Sequence, residues 1–191
     1  DRSVRHVLAV MAVGTRRIVH VGVTDHPTLE WVKQQIRDAT PYDHVPRFLL
    51  HDNDAIFGQF GRRRPVAASD GRTSRSYRCA LDGWLDQVMG IQGLPIPYGA
   101  PNASPHIERF FRELRQECRR HFLFFTEAQL RRTVQEFTVY HNGSRVHQGI
   151  QGIPEPEPGA LAPPGRPPPI SPVQIEARPV LGGLIHDYRL A

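Results

Sequence analysis

The stretch RFLLHDND (47–54) decides how this chain is read as a fold. Its short run Arg47–Leu50 ends in His51-Asp52-Asn53-Asp54, the pattern of a buried strand that delivers a polar C-terminal end to the surface. Upstream, His6–Val13 and Arg17–Val23 are rich in β-branched residues and are separated by Gly14 and Thr15, which predicts a hairpin of two antiparallel strands. Between hairpin and strand, Thr28 is placed to cap a helix through Leu29, Val32 and Ile36, and Pro41 limits it. Strand, strand, helix, strand is the order of an α/β domain.

Downstream the pattern breaks. Residues 61–82 hold six arginines (62, 63, 64, 72, 75 and 78) against Asp70 and Asp82 and read as a mobile basic loop. Leu81–Met89 predicts a short helix, and the proline-spaced residues after it run extended. Ser104 and Pro105 open a further helix that carries Glu108. Thr126 with Gln129 is a capping-box pattern for a last helix through Leu130, Val134 and Phe137, ending at Asn142-Gly143. Ten prolines among residues 154–179 exclude a packed fold there, so 154–191 reads as a Pro-rich tail whose end, Val180–Leu190, supplies one edge strand or docks on a partner.

A chain of 191 residues with 39% apolar content supports one substantial core, so residues 1–153 are expected to form the main domain. The net charge of +5 suits a polyanionic partner, and Lys33 is the single lysine among 24 basic residues, so nearly every cation is a guanidinium fit for bidentate phosphate contact. An arginine-rich codon bias explains the same count equally well. Two cysteines, Cys79 and Cys118, form no short-range metal pattern and no disulfide framework, which points to a reducing cytoplasm. No apolar run approaches the roughly 18 residues of a membrane span.

Two acidic positions can carry chemistry. Asp52 stands where a strand ends, a common place for functional carboxylates in α/β sheets. Asp52, Asn53 and Asp54 also have the composition of a plain turn closed by side-chain to backbone bonds. Glu108, Arg112, Arg115 and Arg119 recur at helical spacing and line one face, beside an apolar stripe of Ile107, Phe111, Leu114 and Cys118. A surface Glu-Arg pair of little energetic weight fits that face too. Carboxylates bind hard cations such as Mg²⁺, and a pair of such ions can stabilise the attacking and leaving oxygens of a phosphoryl transfer.

Four blocks occur in a telling order: GTRRIVHVGVTDHPT (14–28), FLLHDNDAIFGQF (48–60), APNASPHIERFFRELRQEC (100–118) and HNGSRVHQGIQGIP (141–154). In these the chain resembles bacterial insertion-sequence transposases of the integrase-core family, over most of residues 5–154. The resemblance implies an α/β ribonuclease-H-like fold, a mixed central sheet flanked by helices, and an Asp-Asp-Glu site that binds Mg²⁺ or Mn²⁺. By motif position Asp52 is the second acid and Glu108 the third, both catalytic and both metal ligands. Water would cleave a phosphodiester at an element end, and the freed 3′-hydroxyl would attack target DNA. Arg112, Arg115 and Arg119 are suited to phosphate contact. Arg145 and His147 serve DNA contact or local structure, with structure favoured, while His121 and His141 are read as structural. DNA is the implied partner, bound by a homo-oligomer in the bacterial cytoplasm at the nucleoid.

The chain departs from the family in three places. The strand bearing the first Asp is expected upstream of Asp1, which leaves two of the three acids here and predicts a truncated, inactive core. The basic insert 61–82 lengthens the Asp52 to Glu108 separation, at a closure cost of only about 0.6 kcal/mol per doubling of loop length. Val146 stands where the family usually has proline. Two other readings stay open: a DNA-binding remnant without catalysis, and a ribonuclease-H-like nuclease or resolvase.

Overall fold

The structure, a computed structural model, describes residues 4–41, 45–58, 64–67, 73–76, 79–97, 104–119, 126–150, 152–154 and 175–190. It divides into two compact units: residues 1–8 with 24–105, and residues 9–23 with 106–191. The first strand, β1 (His6–Met11), runs from one unit into the other and pairs with β2 (Ile18–Thr24) as the expected hairpin.

In the first unit, helix α1 (Leu29–Ala39) begins where Thr28 caps it, the hydroxyl accepting the Trp31 N–H at 3.1 Å. Val32 and Ile36, one turn apart, bury against Cys79, Leu81, Leu85 and Ile91. Full burial of each such aliphatic side chain contributes about 1.5–3 kcal/mol, so this cluster fixes the elements that carry it. Strand β3 (Phe48–His51) was expected to be buried. It alternates instead: Leu49 packs on the core, Phe48 and Leu50 are 46% and 42% exposed, and His51 turns inward again.

The stretch 61–82 is not one loop. Strands β4 (Arg64–Ala67) and β5 (Thr73–Ser76) pair antiparallel, and the apolar Cys79 and Leu81 pull the end of the stretch into the core as the start of α2 (Ala80–Trp84). The helix continues through Leu85–Met89 with the wider π winding and stops at Gly90, whose φ of 67° lies in the left-handed region that glycine tolerates. Strand β6 (Gln92–Pro95) then lies parallel to β3, with Phe48 opposite Gln92 and His51 opposite Pro95.

In the second unit, helices α3 (Pro105–Leu114) and α4 (Glu127–Gly143) supply the core with Phe110, Leu114, Val134 and Phe137. The capping box is present as the sequence predicts, with Thr126 and Gln129 each bonding the other's backbone N–H. Two side chains of α4 hold β2. Arg131 donates to the Val23 carbonyl at 2.8 Å, and Asn142 both accepts the Ile18 N–H at 2.9 Å and donates to the Ile18 carbonyl at 2.8 Å. Eleven helical residues rise about 16 Å and five strand residues span about the same, so the two elements run antiparallel in step over that length.

The end of the chain forms two strands where one was expected. β7 (Ile175–Val180) and β8 (Ile185–Leu190) pair antiparallel around Gly182 and Gly183, both at positive φ. This hairpin sits on α4: Glu136 accepts the Leu181 N–H, and Ser144 donates to Asp187 at 2.9 Å. Among the described residues, four small sheets and four α-helices make a mixed α/β protein. Among the described residues no helix is long and apolar enough to cross a membrane.

Candidate functional site

Parallel pairing of β3 and β6 brings the C-terminal ends of both strands to one edge, and Asp52 leaves β3 there. The Ile96 N–H donates to the His51 carbonyl at 2.8 Å, and the Asn53 side-chain amide donates to the Ile96 carbonyl at 2.5 Å, locking the turn to β6. Asp54 caps the turn Ala55–Phe57 by accepting the Ile56 N–H at 3.0 Å. Asp52 is exposed, and among the described residues its side chain accepts one long 3.4 Å bond, from the Asp54 N–H. The plain turn therefore exists, and within it Asp54 is committed to capping while Asp52 keeps oxygen lone pairs facing solvent, as a hard cation needs.

Behind Asp52 lies a buried pair that sequence reasoning passed over. His51 Nε2 is 2.8 Å from Asp82 Oδ1, and both side chains are 5% exposed or less. His51 Nδ1 lies 2.7 Å from the Asp52 carbonyl, which can only accept, so that nitrogen carries a proton. Burial alone would lower the His51 pKa, but hydrogen bonds to Asp82 and Asp52 and the charges of both acids outweigh it and leave it raised. Burial alone would likewise raise Asp82; the His51 bond and the Cys79 N–H, 3.1 Å from Oδ2, bring it down. Both shifts favour the imidazolium–carboxylate form of the pair. Space around it is tight. A Cβ at Gly93 would run into the Asp82 carboxylate, and one at Gly58, already at φ 89°, would meet the Ala80 side chain.

The second unit presents Glu108 on α3. Glu108, Arg112 and Arg115 are exposed, as the helical spacing predicts, and among the described residues no hydrogen bond or ion pair engages the Glu108 carboxylate. The buried stripe is centred on Phe110, Leu114 and Cys118, with Ile107 and Phe111 half-buried beside it. From Arg115 to Arg119 the helix takes the wider π winding, so the arginine row laid out on 3.6 residues per turn loses its alignment after Arg115. The Arg119 side chain lies outside the described residues, as does His121.

Arg145 and His147 are bound up in the protein itself. Arg145 reaches Glu117 at 2.9 Å and Glu113 at 3.4 Å. His147 stacks edge-on against His141 with ring centroids 4.4 Å apart. Beside them a cleft of about 390 Å³ is lined by Arg16, His106, Arg109, Glu113, His141 and His147 among others. Burial, and then the Arg16 and Arg109 charges, lower the His106 pKa, with Glu113 on the same lining.

Residues 89–154 match the family model of the integrase core domain. Over that segment the chain is similar to integrase core domains, as the blocks at 100–118 and 141–154 implied. The family is one of DNA integration and transposition. The match takes in Glu108, Arg112, Arg115, Arg119, Arg145 and His147, while Asp52 lies outside it. No curated protein and no solved structure matches the chain.

Proposed function

We propose that this chain is part of a metal-dependent DNA strand transferase in which Asp52 and Glu108 are the metal-binding carboxylates of the reaction. The observation that carries the reading is the match to an integrase core over residues 89–154 with Glu108 exposed on its first helix. Exposed oxygen donors fit Mg²⁺ or Mn²⁺, which would supply Lewis-acid polarisation of the phosphoryl oxygens. The reaction proceeds by transesterification. A 3′-hydroxyl oxygen forms a new bond to a target phosphorus, the bond from that phosphorus to its own 3′-oxygen breaks, and the hydroxyl proton passes to the leaving oxygen through solvent. One phosphodiester replaces another, so no external energy source is needed.

Arg112 and Arg115, exposed on the helix of Glu108, contact DNA phosphates without reading sequence, and Arg119 belongs with them by its sequence position. Arg16 and Arg109, which line the cleft together with Glu113, add two further guanidinium groups for phosphate contact. Arg145 serves by fixing α3 through Glu113 and Glu117. The test is DNA joining by the full-length protein. Joining is expected with Mg²⁺ or Mn²⁺ and not with EDTA, and Asp52→Asn is expected to abolish it while DNA retention persists. Undiminished joining by Asp52→Asn contradicts the assignment; metal-dependent cleavage without joining makes the protein a nuclease, and retention with neither makes it a binding remnant.

A further inference from the structure

His51, Cys79 and Asp82 each offer one ligand atom, and these atoms all lie within 4.8 Å of one another in the interior of the first unit. The three residues are 8%, 4% and 3% exposed. Imidazole nitrogen, thiolate sulfur and carboxylate oxygen are the donors that Zn²⁺ takes, whereas Mg²⁺ takes oxygen almost alone. The surrounding bonds are those that support metal ligands: His51 Nδ1 is tied to the Asp52 carbonyl at 2.7 Å, which turns Nε2 inward, and Asp82 Oδ2 accepts the Cys79 N–H at 3.1 Å, which steadies the carboxylate.

We propose that His51, Cys79 and Asp82 form a structural Zn²⁺ site that clips the end of β3 to the start of α2, distinct from the Mg²⁺ role given to Asp52 and Glu108. With Zn²⁺ bound, the thiol having given its proton to solvent, the carboxylate and thiolate offset the double positive charge and the imidazole is neutral, so the buried site carries no net charge. Because the His51 ring also holds the Asp52 carbonyl, the metal fixes the turn that presents Asp52.

The test is spectroscopic and needs no DNA. The 191-residue chain is stripped with EDTA and titrated with Co²⁺; the expected result is one equivalent bound, a thiolate-to-cobalt charge-transfer band in the near ultraviolet, and loss of the band on adding Zn²⁺. Cys79→Ser is expected to abolish the band and Asp82→Asn to weaken binding about tenfold or more. Cys118→Ser and Asp52→Asn are expected to retain it. Zn²⁺ is also expected to slow alkylation of Cys79 in the unaltered chain, a readout that holds whatever a variant does to folding. A folded chain that shows no band, a band that survives Cys79→Ser, or Cys79 alkylation indifferent to Zn²⁺ overturns the proposal and leaves the trio as a buried ion pair with a neighbouring thiol.

Discussion

His51 and Asp82, 31 positions apart, meet at 2.8 Å in the interior of the first unit, directly behind the turn that presents Asp52. Removing one member of a buried charged pair strands the other, at a cost on the order of 3–5 kcal/mol. Asp82→Ala is therefore expected to destabilise this unit by about 3 kcal/mol in EDTA. Both tryptophans, Trp31 and Trp84, lie in the same unit, so urea unfolding followed by their fluorescence reads the effect. A change below about 0.5 kcal/mol would mean that the pair contributes nothing net.

Gly93 leaves the space that the Asp82 carboxylate occupies. Overpacking of a filled interior costs about 1–3 kcal/mol, so Gly93→Ala is expected to fall in that range by the same fluorescence measurement. In the Asp82→Ala background the penalty should shrink, since the obstructing carboxylate is gone. A penalty of equal size in both backgrounds would show that the clash lies elsewhere.

His141 is 2% exposed, and burial, with the neighbouring His147, lowers its pKa to about 4. The Arg16 carbonyl and Glu113 pull the other way, and Arg145 adds to the lowering. The unfolded chain takes up this proton near pH 6.5 and the folded chain only near pH 4, so the unfolded state binds more protons in between. Stability from this group is complete above pH 6.5 and is lost as pH falls towards 4, by about 3 kcal/mol in all. Protection factors of α4 amides, corrected for the intrinsic exchange rate at each pH, should fall over that window, and His141→Gln should flatten the dependence. Identical pH profiles for the two proteins would contradict this assignment.

Asn142 satisfies both backbone groups of Ile18 at once. Asn142→Ala leaves a buried donor and a buried acceptor without partners, a loss of about 2 kcal/mol. Exchange of β2 amides is the sensitive readout, and faster exchange at Ile18 is the expected outcome. Protection unchanged from the unaltered chain would refute the role.

The elements set by local chemistry were legible in the sequence. Thr28 and the Thr126–Gln129 box announce α1 and α4 within a few residues, and the Gly14–Thr15 break announces the first hairpin. Contacts between distant segments were not. The parallel partnership of Phe48 with Gln92, or of His51 with Asp82, has no local periodicity to reveal it. The basic composition of 61–82 concealed that Cys79, Leu81 and Asp82 belong to the core. The Gly182-Gly183 pair was a readable turn signal, overshadowed by the prolines before it. At the site, the exposed face of Glu108, Arg112 and Arg115 followed from spacing, but the π winding after Leu114 did not. Asp54 was readable as a turn former and is one.

The decisive measurement compares joining by the unaltered full-length protein with joining by Glu108→Gln at equal DNA occupancy and fixed Mg²⁺. Occupancy is set independently by salt, where Arg112→Ala and Arg115→Ala should each lower the slope of log affinity against log salt by about one. Glu108→Gln is expected to bind DNA with unaltered affinity and salt slope and to yield no joined product. Joining by Glu108→Gln at the rate of the unaltered protein would contradict it.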